Sequence, residues 1–374
     1  MRELLHEILR RTARGETLGV ATVVATFKSA PRESGAAMLV AEDGTVSGSI
    51  SGGCVEGAVY ELASEVIKDD IPVLQRYGVS DEDAFSIGLT CGGIVDVFVE
   101  KIVDSPWLRL LGESVAAERP VALVTVIEHP DPAMRGEHLL VWQDDRMGSL
   151  GSVHADDAVT DDVRGILATG CSVSRHYGPD GERQGEGMSV FVASYQPQPR
   201  MLVFGAIDFA AAMVRMGSFL DYRVTVCDAR PVFATRSRFP EAEEVVVDWP
   251  HRYLEKEVLA GRVDRSTVVA VFTHDPKFDV PLLSVALRAD LGYVGVMGSR
   301  RTHADRMDRL RELGFGSSEL EVLSSPIGLD LGARTPEETA VSIAAEIISL
   351  RWGGQGVRLS ALRGPIHRDP GAAG

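Results

Sequence analysis

The sequence predicts an α/β protein in two parts, an N-terminal region of mixed α/β character and a C-terminal doubly wound parallel sheet. Three observations predict it. First, β-branched apolar runs alternate with segments whose apolar residues recur at helical spacing. Second, Gln196-Pro197-Gln198-Pro199 interrupts that pattern, because proline continues neither a ladder nor a helix and favours extended chain. Third, beyond this linker short apolar strands and helical segments alternate regularly, which implies a parallel sheet covered on both faces.

Taken in order, MRELLHEILRRTARGE reads as an amphipathic helix with Leu4, Leu5, Ile8 and Leu9 on one side. GVATVVATF and AAMLVA read as strands separated by the turn-like SAPRESGA. From Val55 the period becomes helical, with Val59, Leu62, Ala63, Val66 and Ile67 on one face. IVDVFVE is a strand, and the first domain is set at residues 1–105. A middle α/β region, 106–195, begins with a helix from Trp107 to Ala117. It continues with strands VALVTVIE, HLLVWQ and MGSLGSV, a helix near Asp161–Thr169 and the strand GMSVFVASY. Nothing in it announces chemistry, and it reads as scaffold packing with the first domain. Residues 200–352 form the third domain, and 353–374, rich in Gly, Pro and Arg, read as a mobile tail.

The 374 residues carry a formal net charge of −16. Nucleic acid and anionic membrane surfaces reward a basic face, so neither is an expected partner. No apolar run reaches the length of a bilayer span, and the first helix is too charged for a signal peptide. Cys54, Cys91, Cys171 and Cys227 are widely spaced and form no CxxC pair, so a disulfide framework or standard zinc site is not expected. The chain reads as a cytoplasmic protein with reduced thiols.

In the C-terminal domain MLVFGAIDFAAAM stands where a Rossmann glycine loop stands, between first strand and first helix. Gly205 fills the first glycine position and Ala210 the third. Ile207 stands at the second, where a side chain crowds a pyrophosphate, and this weakens an NAD or NADP site. Asp228 ends the second strand and is placed to read a ribose hydroxyl. Thr273 and His274 follow a strand, and Gly298, Ser299 and Arg300 follow another while opening a helix, a setting suited to a phosphate. Each also has a plainer reading, His274 as a strand-end residue bonded locally and Arg300 as a surface charge. Thr335-Pro336-Glu337-Glu338 is a helix start, with Thr335 as cap and Glu338 completing a capping box.

Ser49-Ile50-Ser51-Gly52-Gly53-Cys54-Val55-Glu56 is the most informative stretch. Gly52 and Gly53 let the backbone bend tightly before a helix, and Cys54 falls at the helix start, where the helix dipole favours thiolate. A thiolate there can act as nucleophile, sulfur carrier or soft-metal ligand. Cys91 precedes another glycine pair. Cys54, Cys91 and Glu56 are therefore the candidate catalytic residues and Cys54 the candidate metal ligand. The alternative, a cysteine buried as a small hydrophobe, explains Cys171 and Cys227 better than Cys54.

The string SAPRESGAAMLVAEDGTVSGSISGGCVEGAVYELA resembles the signature of the xanthine dehydrogenase accessory (XdhC/CoxI) family. GLTCGGIVDVFVE, VVAVFTHDPKFDVPLL, GYVGVMGSRRTHADRMDRLRELG and SPIGLDLGARTPEETAVSIAAEII are similar to it as well, whereas the middle stretch carries little of the signal. The resemblance implies an N-terminal XdhC-type domain and a Rossmann-like one. It further implies a chaperone, rather than an enzyme, that binds molybdenum cofactor (molybdopterin), shields it during sulfuration and delivers it to an apo xanthine-dehydrogenase-type molybdoenzyme. A cysteine desulfurase would be a second partner, a homodimer is compatible with it, and Cys54 would be the cofactor-handling cysteine, with Cys91 second. The family's Rossmann loop commonly has a second glycine and a histidine; this chain has Gly205-Ala206-Ile207-Asp208 instead. Two other readings stay open: an NAD(P)-dependent oxidoreductase and a docking scaffold for a molybdenum hydroxylase.

Overall fold

The computed structural model describes residues 2–27, 32–78 and 93–362. Two compact units divide between Pro197 and Gln198, inside the proline-rich linker. Residues 1–105 and 106–195 therefore share one compact unit. Its elements run α1 (Leu5–Thr12), β1 (Leu18–Phe27), β2 (Ala37–Ala41), β3 (Val46–Gly48), α2 (Glu56–Asp69), β4 (Val73–Tyr77) and β5 (Ile94–Ile102). They continue with α3 (Pro106–Ala116), β6 (Val121–Glu128), β7 (His138–Val141), β8 (Arg146–Gly148), α4 (Val153–Thr169), β9 (Val173–Tyr177) and β10 (Met188–Tyr195).

These elements form two five-stranded antiparallel sheets, ordered β3-β2-β1-β5-β4 and β8-β7-β6-β10-β9. The second order repeats the first element by element. Cross-strand register repeats too: Thr22 faces Phe98 in one sheet, and Thr125 faces Phe191 in the other. Gly48 and Gly148 share a left-handed backbone (φ +80° and +108°), and a side chain at either would strike the carbonyl of the neighbouring strand, Ala37 or His138. Glycine is the only residue without a penalty there. The unit is thus an internal duplication, and the middle region, which packs with the first as expected, is a second copy of it.

Strand alternation places the layers. Leu18, Val20 and Phe98 from the first sheet and Leu123, Leu140 and Phe191 from the second share one core between the sheets. The opposite face of the first sheet, with Val23 and Val97, is covered by Val59, Ala63 and Val66 of α2. Val159 and Val163 of α4 cover the second sheet in the same way. The result is a four-layer α/β/β/α sandwich. Two expectations need correction here. MGSLGSV is strand only to Gly148, and α4 starts at Val153, because the Ser152 hydroxyl accepts the Ala155 N–H and caps the helix well before Asp161.

The second unit has β11 (Arg200–Phe204), α5 (Asp208–Phe219), β12 (Arg223–Asp228), β13 (Glu244–Val247), α6 (Pro250–Leu259), β14 (Val268–Val271) and α7 (Pro276–Ala286). After these come β15 (Tyr293–Val296), α8 (Arg300–Glu312), α9 (Ser317–Glu321), β16 (Leu323–Ser324) and α10 (Pro336–Trp352). Its parallel sheet is ordered β13-β12-β11-β14-β15-β16, the dinucleotide-fold order with its switch point between β11 and β14. The central strands are mostly apolar because both faces are covered. Val203 packs with Met213 and Ile343 on one side, and Leu202 with Leu254 and Leu283 on the other. The Thr335 capping box is present at α10. Of the tail, residues 363–374 lie outside the described residues.

Candidate functional site

Two sets of expected residues are each brought together, one in each unit. In the first, the Ser49–Val55 turn enters α2 around a single carboxylate. Oε1 of Glu56 accepts from the Ser49 hydroxyl (2.7 Å), the Ile50 N–H (3.3 Å) and the Ser51 N–H (2.9 Å). Oε2 accepts from the Ser51 hydroxyl, the Gly53 N–H (2.9 Å) and the Val55 N–H (3.2 Å). The Ser51 hydroxyl oxygen in turn accepts the Cys54 N–H (3.0 Å), and Ser49 accepts that of Gly52 (3.1 Å). Burial pushes the Glu56 carboxyl up, but the Ser51 and Ser49 donors outweigh it and hold the group at about 2. An ionised carboxylate with its acceptors this fully engaged organises the turn and is a poor proton acceptor. Glu56 is therefore a positioning residue.

Gly52 and Gly53 have φ of +76° and +115°, and among the described residues a side chain added at either would meet nothing within 4 Å. Ser51 beneath the turn is buried. Cys54 is half-buried and leans on the cluster of Ile50, Val55 and Val59. Cys91, the second candidate cysteine, lies outside the described residues. Among the described residues no group of three or more His, Cys, Asp and Glu side chains is placed to hold a metal.

The duplicated copy keeps the carboxylate and changes the rest. Oδ1 of Asp156 accepts the Leu150 N–H at 2.6 Å, as Glu56 accepts that of Ile50. His154 occupies the position matching Cys54 and pairs with Asp180 at 3.3 Å.

In the second unit Gly205, Asp228 and Thr273 meet at the carboxyl end of the sheet. Gly205 is left-handed (φ +104°), and a Cβ there would lie 3.0 Å from the Thr273 backbone nitrogen. Asp228 is buried, and its Oδ2 accepts the Ala206 N–H at 2.7 Å. The Arg230 guanidinium grips both carboxylate oxygens at 2.9 and 2.8 Å. Burial would raise the Asp228 carboxyl, but the hydrogen bonds from Arg230 and Ala206 hold it below the ordinary carboxylate range. The expected ribose reader is thus already bonded within the chain. Asp208 does not leave an uncompensated charge at the loop, because Arg238 pairs with it at 3.3 Å.

Thr273 donates its hydroxyl to the buried carboxylate of Asp279, to which Arg306 also donates at 3.0 Å. Arg306 reaches the Met297 carbonyl (3.1 Å) and Ser325 (3.1 Å) as well. One buried ion pair therefore ties together the ends of β14, β15 and β16. Ser299 caps α8 through the Thr302 N–H (3.2 Å), Gly298 lies against Arg306, and His274 and Arg300 are exposed at the same edge. Sequence reasoning missed Asp279, in the first turn of α7, and Arg306, in the second turn of α8, and it gave the serines of the cysteine turn no role.

The fold and the two loop sets define a two-unit α/β protein whose C-terminal unit is a Rossmann domain. The family model described as XdhC Rossmann domain matches residues 201–347, and that of the XdhC and CoxI family matches 12–78 and again 114–178. The chain belongs to the XdhC and CoxI family. The second match falls on the duplicated copy, so the middle region carries more of the family signal than its residues suggest. The chain is 28% identical over 336 residues to a probable xanthine dehydrogenase subunit of Bacillus subtilis, covering 89% of this chain and 92% of that protein. It is 25% identical over 350 residues to the molybdenum cofactor insertion chaperone PaoD of Escherichia coli, covering 94% and 88%. The crystal structure of a xanthine dehydrogenase from Bacillus halodurans superposes with a TM-score of 0.70 at 27% identity, covering 93% of this chain and 94% of that one. Among the described residues no helix is long and apolar enough to cross a membrane.

Proposed function

We propose that this chain handles molybdenum cofactor as cargo, assisting its sulfuration and its insertion into an apo xanthine-dehydrogenase-type molybdoenzyme. The observation that carries the reading is the turn built on Glu56, which holds Cys54 beside two glycines whose Cα atoms, among the described residues, face no neighbour within side-chain reach. A soft sulfur at the rim of such a turn suits a molybdenum or sulfur ligand, and backbone without side chains lets a bulky group approach. The name of the Escherichia coli relative supports the cargo, and that of the Bacillus subtilis relative supports the kind of target. The partners under this reading are the apoenzyme and a cysteine desulfurase as sulfur source, met in the cytoplasm; light scattering of the purified chain decides whether it acts as a homodimer. The NAD(P) oxidoreductase reading is disfavoured by the engagement of Asp228.

The test is mass spectrometry of protein purified natively from cells that make the cofactor. Wild type is expected to retain pterin and molybdenum, and Cys54→Ala to lose them. Equal retention by the variant removes Cys54 from the function.

A further inference from the structure

Between β12 and β13 the chain runs from Asp228 to Glu244 without a helix, at the edge where doubly wound folds hold the adenosine ribose of a dinucleotide. This segment supplies Arg230, Phe233 and Arg238. A carboxylate offers about four acceptor directions. At Asp228, Oδ1 accepts the backbone N–H and the Nε of Arg230, and Oδ2 accepts the Ala206 N–H and the Nη2 of Arg230. A ribose diol could use this carboxylate only by displacing one of them.

The same bonds prepare Arg230 for another task. Its guanidinium is fixed by two hydrogen bonds to a buried anion, and its centre lies 4.6 Å from the centroid of the Phe233 ring. Nη1 makes no hydrogen bond among the described residues, and the side chain is 45% exposed. Arg238 approaches the same ring at 5.6 Å and donates to the Ala206 carbonyl of the glycine loop at 3.1 Å. Two guanidiniums are therefore held around one aromatic ring beside the loop, which lowers the entropy lost when they close on an anion. Among the described residues the carboxylate on Arg238 is that of Asp208, which is 88% exposed and contributes little in water.

We propose that this edge binds a phosphomonoester dianion through Arg230 and Arg238, and discriminates against an unphosphorylated ribose diol. A 2′-phosphorylated dinucleotide carries such a group. So does a pterin phosphate, and that second source rests on the cargo reading above. Arginine forks match phosphate oxygens in pairs, and a monoester's charge of about −1.5 to −2 outcompetes a solvated aspartate.

The full-length chain is titrated with NADP+, NAD+ and inorganic phosphate and followed by thermal unfolding, and pterin retention is measured on natively purified protein. From a nucleotide source, NADP+ raises the melting temperature and NAD+ binds roughly tenfold or more weakly, as the loss of a charge-assisted pair implies. From a pterin source, the dinucleotides shift nothing and retained pterin falls in Arg230→Gln and Arg238→Gln. Cys54→Ala leaves any NADP+ response intact, so failure of the cysteine reading is distinguishable from failure of this one. Because Arg230→Gln uncovers a buried carboxylate, Arg238→Gln and Arg230→Lys serve as the folded controls; the first weakens binding and the second restores part of it. Equal shifts by NAD+ and NADP+, no phosphomonoester bound from either source, or binding indifferent to both arginines overturns the proposal.

Discussion

At the scale of single residues, Glu56 and Asp228 show how a carboxylate that looks reactive in sequence is consumed by structure. Each stands where chemistry would want an acid, and each accepts hydrogen bonds from its own loop. For Glu56 this gives a pH dependence. Its folded-state carboxyl is held at about 2 against an ordinary value of 4.5, so its contribution to stability is complete above 4.5 and fades as pH falls through about 2. Glu56→Gln keeps the shape and removes the charge. We expect a loss of roughly 1–2 kcal/mol at neutral pH, since the turn is partly solvated and screened. Urea unfolding of both proteins from pH 7 down to pH 3 checks this, with the gap narrowing below pH 4.5; a gap that widens with acid contradicts the assignment. The glycine pair ahead of a helix was legible in the sequence, because glycine's backbone freedom acts locally; Cys54 lies one residue before the N-cap, Val55, rather than in the first turn. What holds the turn was not legible, since the direction of the Glu56 side chain is set by α2 packing on its sheet.

Among elements, the strands were the legible part. Runs such as RMLVF and RVTVCD are largely apolar and buried after their first residue, because a parallel sheet is covered on both faces. The start of α4 was misread because its first turn, Val153-His154-Ala155-Asp156, shows no apolar stripe at helical spacing, although Ser152 caps it. The Asp279–Arg306 pair was invisible for another reason: it joins α7 to α8, neighbours on one face of the sheet but 27 residues apart in the chain, and no local pattern reports it. Burial pushes the Asp279 carboxyl above its ordinary value, more than Thr273 and Arg306 offset. The pair is therefore poor as a source of stability and well placed to fix geometry at three strand ends. Arg306→Met is expected to cost roughly 3–5 kcal/mol because it leaves a buried unpaired carboxylate, while Arg306→Met with Asp279→Leu recovers most of that loss. Denaturant melts of the single and double variants decide it; additive losses would mean the two side chains act independently.

At the scale of the whole molecule the duplication governs how the N-terminal unit folds. It escaped the sequence because the two copies share pattern more than identity. Val73-Leu74-Gln75-Arg76-Tyr77 and Val173-Ser174-Arg175-His176-Tyr177 keep only the ends of a strand in common, and the glycine–cysteine turn of one copy becomes Gly151-Ser152-Val153-His154 in the other. Secondary structure repeats because alternation and turn glycines are kept, whereas chemistry does not. Each copy covers one face of its sheet with its own helix, yet leaves the other face to its sister: Leu18, Val20, Leu39, Phe98 and Ile102 are buried only in the core between the sheets. A fragment of residues 1–105 would expose that whole face to water, at roughly 25 cal/mol for each Å² of apolar area. We therefore expect 1–105 to be unfolded or aggregated on its own and 1–197 to unfold in one cooperative transition. Circular dichroism melts of the two fragments test this. A cooperative transition for 1–105 alone would mean that each copy carries a sufficient core, and that the layer between the sheets is an interface rather than the centre of one folding unit.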